Sequence, residues 1–389
     1  MMLSLAMVGC TLLFVFDVSA HGSTFPLTNI AGLEDPAHFP FLRGTLTEFG
    51  KRQLFLRGME TRRRLLPSFM NGSRGEIYAK SIDDSAAIMS AQAFLMGLYP
   101  PSDPSQTLSV DESSRAFPPF ATNPSQTKFA TEHGYAAVPV HTDEAELNLA
   151  ERMRLRGYEA ATCPLINETR HYDLQTPEMA ALTKELNETI VRWLLQKESE
   201  LGVVTDVAPP LVTTVAEQTG LVNELLQRRL ESRYMPYPQM TPADWNLLEA
   251  YRNSQISLLM ANDSLAVLGN TALFREIIST FDQRSRDWLA GTVPPFKYQL
   301  NVGTPLTLQL FLKGLNHSNY TTQVASSVIV ELHAVNGTDN VTSFSITFSV
   351  DDIPIELPGC NCELQDQKYM CPFDLTAAFL ETRSLPAGQ

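Results

Sequence analysis

EIYAKSIDDSAAIMSAQAFLMGLYPP, residues 76–101, carries the local pattern on which the fold class turns. Glu76 to Ala79 reads as a short strand. A helix follows that opens at Ser81, carries Asp83 and Asp84 in its first turn, and runs through Ile88, Ala91 and Leu95 to the breaker Tyr99-Pro100-Pro101. Carboxylates in a first turn complement the helix dipole and are dipole partners before they are proton donors. A strand that feeds directly into a helix is the unit of an open α/β sheet with helices on its faces.

Upstream, Thr45 to Leu66 is helical as well, because Leu46, Gly50, Leu54, Gly58 and Leu65 recur near a 3.6-residue period. Arg62-Arg63-Arg64 lies at its end, where cations are favoured, and reads as a solvated face. Downstream, a Pro/Ser/Thr-rich stretch and a strand at Ala137 to His141 lead into a mostly helical region. There Pro177 starts a helix with Met179, Leu182, Leu186, Ile190 and Trp193 on one face, and Ala243 to Met260 and Thr271 to Leu289 are similar. From Phe296 sheet alternation returns, in Ser327 to His333 and Ser343 to Val350, joined by the turn-rich Asn336-Gly337-Thr338-Asp339. The expected organisation is an α/β core with an open, mostly parallel sheet flanked by helices, residues 1–110 and 295–389, and a mainly helical cap inserted at 111–294.

A chain of 389 residues that is 44% hydrophobic can bury a sizeable core. Its net charge of −14, with 29 Lys+Arg spread along the chain, excludes a phosphate-tracking surface for nucleic acid. Met1 to Phe16 is almost wholly apolar and is followed by Asp17 and the small residues Val18-Ser19-Ala20. That is too short for a stable transmembrane span but has the form of a secretory leader cleaved after Ala20, and Thr11 to Phe16 is equally the pattern of a buried strand. Eight N-x-[ST] sequons, at Asn71, Asn167, Asn187, Asn262, Asn316, Asn319, Asn336 and Asn340, exceed the roughly three expected by chance and point to the secretory route. Cys163, Cys360, Cys362 and Cys371 are then disulfide candidates with three possible pairings, of which one would close a short loop with Cys360–Cys371 and tie the middle of the chain to its end with Cys163–Cys362. The Cys-x-Cys spacing has no nearby His, so no metal is expected, and nothing calls for a cofactor.

LTEFGKRQLFLRGMETRRR, residues 46–64, resembles the L-T-x-x-G-x-x-Q-x-x-x-L-G-x-x-L-R segment of the histidine acid phosphatases, and residues 76–101 resemble their R-S-T-x-x-x-R-T-x-x-S-A-x-x-x-L-x-G-L-[FY]-P-P segment. VPVHT (138–142), Cys163-Pro164, LGNTALFREI (268–277), SSVIVELH (326–333), LPGC (357–360) and CPF (371–373) follow in the family's order. The resemblance implies a histidine phosphatase-like fold. It also implies a chemistry in which a histidine attacks phosphorus to form a phosphohistidine, arginines hold the phosphoryl oxygens, and an aspartic acid protonates the leaving alcohol.

The family's nucleophile motif R-H-G-x-R-x-P reads here Ala20-His21-Gly22-Ser23-Thr24-Phe25-Pro26. A lone His before Gly in a polar loop is ordinarily just a loop residue; the motif makes His21 the nucleophile position and Thr24 a phosphate-binding position without its arginine. The arginine of R-S-T is matched by Lys80, a cation without the bidentate fork, and the next one by Ala86. The late His-Asp pair falls on Thr304 and Pro305, or in the neighbouring register on Gly303 and Thr304, and neither supplies a general acid.

The resemblance with these departures implies a catalytically impaired pseudophosphatase of the secretory or lysosome-like compartment. Its expected ligand is a weakly bound phosphate or phosphomonoester, and its expected role is that of a binding or scaffold module for a protein partner the sequence does not name. The alternative is an acid phosphomonoester hydrolase working through His21. In the family pattern the residues before the nucleophile form the central strand, here about Leu12 to Ser19, which a cleaved leader would remove. The strand is the expectation, and the secretory inference then rests on sequons and cysteines.

Overall fold

A computed structural model describes residues 9–25, 44–66, 68–100, 109, 137–142, 176–201, 215–231, 240–261, 263–336, 341–360, 363–365 and 368–386. Nine strands among them form one mixed sheet: β1 (Gly9–Ala20), β2 (Ile77–Ser81), β3 (Val140–Thr142), β4 (Tyr298–Gly303), β5 (Ser327–Asn336), β6 (Thr342–Val350), β7 (Ile353–Ile355), β8 (Glu363–Gln365) and β9 (Lys368–Pro372). Their order is β3-β2-β4-β1-β5-β6-β9-β8, with β7 paired to β6. The ladders from β3 to β1 are parallel, and those from β1 through β5 onward are antiparallel. Eight α-helices among the described residues accompany the sheet: α1 (Glu48–Leu65), α2 (Ser85–Leu98), α3 (Pro177–Leu201), α4 (Val215–Leu230), α5 (Pro242–Ala261), α6 (Asp263–Leu289), α7 (Pro305–Gly314) and α8 (Phe373–Thr382). No helix among the described residues is long and apolar enough to cross a membrane.

β1 lies between β4 and β5 and is buried on both faces. Phe14, Phe16, Val18 and Ala20 enter a core with Leu273, Phe274, Ile277 and Phe281 of α6 and Leu308 and Phe311 of α7. Val15 enters the opposite core with Leu54 of α1 and Phe94 of α2. A strand covered on both sides reads as a continuous apolar run, which is why the same residues also have the form of a leader. The strand is longer than the expected Leu12 to Ser19, because β5 pairs with it back to Gly9.

The second helix starts later than expected. Ser81 still belongs to β2, where it pairs with Val302 and Thr142. The cap is Asp84, whose side chain accepts from the N–H groups of Ala86 and Ala87, so this carboxylate serves a helix end. Helices α1 and α2 cross at glycines: a Cβ on Gly58 would stand 2.0 Å from Phe94 O, and one on Gly97 2.1 Å from Phe55 O. The small residues of α2 therefore permit an approach that no larger side chain allows.

Helices α3, α4 and α5 share a core of their own around Leu186, Trp193, Leu221 and Tyr251. Helix α6 instead lies on the sheet and starts before the expected Thr271. Cys360 and Cys371 form a disulfide, which selects the short-loop pairing for these two among those the four candidates allow; Cys163 and Cys362 lie outside the described residues. Strands β5 and β6 pair from Val328↔Val350 to Asn336↔Thr342, and the intervening 337–340 also lie outside the described residues.

On the α1 face of β5, Glu331 gathers Lys368, His333 Nε2 at 3.4 Å and Thr347 Oγ1 at 3.2 Å. Burial alone would raise its carboxyl; the bonds from His333 and Lys368 outweigh that and hold it down at about 2. His333 is pushed down by burial, yet its contacts with Cys10 and Glu331 hold it above its ordinary value. A carboxyl lowered by folding stabilises the fold above the unfolded carboxylate pKa, and that contribution fades as pH falls from about 4.5 toward about 2. Glu331→Gln is expected to cost on the order of 2–3 kcal/mol at neutral pH and to flatten this part of the acid limb in urea unfolding followed against pH. An acid limb identical to that of the parent would contradict this assignment.

Candidate functional site

The parallel strands β1, β2 and β4 end together, and the chain leaves them as His21, Ile82 and Thr304. Crevices at the carboxyl ends of parallel strands are where open α/β sheets place ligands. Three helix N-termini cluster there in sequence terms, because α2 and α7 follow β2 and β4 directly and α1 begins beside the loop after β1.

That loop, residues 21–25, is fixed along its backbone. His21 N–H donates to Gly303 O at 2.9 Å, and Ala325 N–H donates to His21 O at 2.9 Å. Gly22 N–H donates to Ser90 Oγ at 3.0 Å and Ser23 N–H to Gln53 Oε1 at 3.1 Å. Thr24 forms an isolated antiparallel bridge with Leu46, while Phe25 N–H donates to Thr45 O at 2.7 Å. Thr47 donates its backbone N–H to Ser23 O at 2.9 Å, and its hydroxyl accepts from Gly50 N–H as the cap of α1.

Gly50 must be glycine here, because a Cβ would stand 2.2 Å from Ser23 O. The residues of the L-T-x-x-G-x-x-Q pattern, Leu46, Thr47, Gly50 and Gln53, are thus the ones that hold the His21 loop onto α1.

His21 Nδ1 donates to Gly22 O at 2.7 Å. A carbonyl can only accept, so in the neutral ring the proton sits on Nδ1 and the lone pair on Nε2, the tautomer a nucleophilic nitrogen requires. Thr24 is held by its backbone bridge. Lys80 lies on β2, in register with Asn301 of β4, and its Nζ stands 3.6 Å from Glu276 Oε2 of α6. Ala86 is buried at the start of α2.

At the expected acid pair, Thr304 is the cap of α7 and Pro305 its first residue. Thr304 and Thr307 make a reciprocal capping box, with Thr304 N–H donating to Thr307 Oγ1 at 3.2 Å and Thr307 N–H to Thr304 Oγ1 at 3.1 Å. Asp83 is exposed and Asp84 is committed to its cap.

Other side chains reach this end of the sheet without a signal in the sequence. Gln227 of α4 donates to Ser23 Oγ, and Glu231 just after α4 accepts from Thr47 Oγ1 at 2.9 Å and from Gln227 Nε2 at 2.9 Å. Their separation from His21 along the chain, with no motif of their own, left them unmarked. Beneath the loop, Asp17 of β1 is fully buried and accepts from Ser19 Oγ at 2.6 Å, Tyr298 Oη at 2.6 Å and Arg57 Nη2 at 3.5 Å. Burial, then the Asp17 charge, push the Tyr298 phenol well above its ordinary value, so it stays a donor. Arg57 also donates to Ala325 O at 2.9 Å, the carbonyl of the residue whose N–H donates to His21 O. In the family pattern the residue before the second glycine is leucine; here it is Arg57.

No protein-family model matches the chain. Over 97 residues it is 39% identical to the lysosomal acid phosphatase of Xenopus laevis, a match that covers 23% of this chain and 22% of that protein, so the chain spans about a fifth of the length of the curated relative it matches. Solved structures align with this chain over nearly its full length. The apo form of Hafnia alvei phytase superposes with a TM-score of 0.63 at 14% identity, covering 99% of each chain. The phytase of Citrobacter braakii gives 0.62 at 14%, covering 97% of this chain and 98% of that one. The multiple inositol polyphosphate phosphatase of Bifidobacterium longum, in complex with inositol hexasulfate, gives 0.60 at 11%, covering 99% and 95%.

Proposed function

We propose that this chain, which has the fold of the histidine acid phosphatases and resembles them in sequence, is a catalytically impaired pseudophosphatase that acts as a binding or scaffold module. The observation that supports the reading is the start of α7: a threonine cap followed by proline occupies the positions that the sequence resemblance assigns to the His-Asp pair. Of the arginines missing from the pattern, the two at Ala20 and Thr24 alone remove on the order of 4 kcal/mol of charge-assisted hydrogen bonding to the phosphoryl oxygens, about a thousandfold. The absent general acid removes a further ~10²–10⁴. Even with non-additivity, a loss of roughly 10⁵ leaves little turnover.

The mainly helical segment 111–294 serves in this reading as a cap, with α4 reaching the His21 loop through Gln227 and Glu231 and α6 seated on the sheet. A secreted or lysosome-like location is supported by the Cys360–Cys371 disulfide and by the exposure of Asn71, Asn316, Asn319 and Asn336.

The test is hydrolysis of an aryl phosphate near pH 5 by the full chain, with His21→Ala beside it. The expected result is no turnover beyond that of the variant. His21 keeps its place in the motif and the tautomer of a nucleophile, so turnover that disappears in His21→Ala would identify the chain as an acid phosphomonoester hydrolase instead.

A further inference from the structure

Helix α6 brings a carboxylate to Lys80. Glu276 Oε2 stands 3.6 Å from the ammonium, and Glu276 Oε1 accepts from Gln299 Nε2 of β4 at 2.6 Å. Gln299 also donates to Asn301 Oδ1 at 3.0 Å, and Asn301, the register partner of Lys80, donates to Asp17 O at 3.2 Å. One oxygen of Glu276 is thereby tied to the sheet while the other faces the lysine.

The side chains of Lys80 and Glu276 are 16% and 31% exposed, so water screens the pair only in part. At the four positions where the resemblance calls for arginine the chain has Ala20, Thr24, Lys80 and Ala86, and the single cation among them is the one that meets Glu276. Glu231 adds a second negative charge against the His21 loop, at Thr47.

We propose that Glu276 is a built-in counter-ion that occupies Lys80 from within the protein, so that an oxyanion must compete with a tethered carboxylate for this cation. The inference rests on the impaired-pocket reading for the role of Lys80, and adds a cause to it. Missing arginines weaken the pocket, and the counter-ion closes what remains. A free phosphate is at a disadvantage because the carboxylate of α6 is already positioned and loses no translational freedom on pairing.

The experiment titrates inorganic phosphate into the full chain by calorimetry at neutral pH and low ionic strength, in a His21→Ala background where no phosphohistidine can form. Glu276→Gln keeps the shape and the bond from Gln299 but removes the charge; it is expected to bind phosphate about tenfold more tightly, ~1.4 kcal/mol. Glu276→Ala is expected to change affinity in the same direction, and thermal melts confirm that both variants are folded. Adding Lys80→Met is expected to abolish the gain. Unchanged affinity in both Glu276 variants, or a gain that survives Lys80→Met, overturns the proposal. Turnover of aryl phosphate by the parent chain would overturn the impaired-pocket reading alone, since the counter-ion is judged here by binding.

Discussion

A chain that begins at His21 is expected to be unfolded. Removing the residues up to Ala20 takes out the strand that joins the parallel half of the sheet to the antiparallel half, leaving β4 and β5 without their common neighbour. Phe14, Val15, Phe16, Val18 and Ala20 are at most 2% exposed. Four of them are large enough to contribute about 1.5–3 kcal/mol each on burial, which together reaches the ~5–15 kcal/mol that a native domain has in total. The loss also strips the opposing cores around α6, α7 and α1 of their shared wall. Two measurements check this: circular dichroism and urea unfolding of the truncated chain, and the N-terminal sequence of the protein expressed with its own leader region. A cooperative unfolding transition in the truncated chain, or a mature N-terminus at His21 in folded protein, would overturn the assignment of Gly9–Ala20 as the central strand.

The second large effect is expected at Arg57. Its guanidinium is 17% exposed and stands 3.5 Å from Asp17, whose side chain is fully buried. Arg57→Leu restores the residue of the family pattern but leaves that carboxylate in the core with only the hydroxyls of Ser19 and Tyr298. Breaking a buried pair from one side costs about 3–5 kcal/mol, far more than the pair contributes relative to apolar residues.

The double variant Asp17→Leu/Arg57→Leu is therefore expected to be more stable than Arg57→Leu alone, despite carrying one more substitution. Urea midpoints for the parent, both single variants and the double variant form the cycle. An Arg57→Leu midpoint close to that of the parent would falsify the pairing. Because Arg57 also holds Ala325, whose N–H donates to His21 O, the single variant is expected to loosen this loop as well.

Much of the site could be read from residues close in the chain. Thr47, Gly50 and Gln53 are spaced so that a helix presents them together, and the structure uses all three to hold Ser23. Thr304-Pro305 has the chemistry of a helix start, since a capping hydroxyl followed by proline satisfies the first turn, and the structure uses it as one. The misplaced start of α2 shows the limit of that method: Ser81 and Asp84 are both good caps, and pairing of Ser81 with β4 and β3 decided between them.

What the sequence by itself determined was the α/β alternation and the late cysteine cluster from which the Cys360–Cys371 disulfide is drawn. Each is a property of residue type at short spacing. Only the tertiary structure decided that the apolar run at the start is the sheet's central strand, that Arg57 answers Asp17 across 40 residues, and that Glu276 stands against Lys80. Periodicity tells which face of a strand or helix a side chain takes. The partner across that face is set by which elements pack together, and for a charged group the partner decides whether it binds a ligand or is already held by the protein.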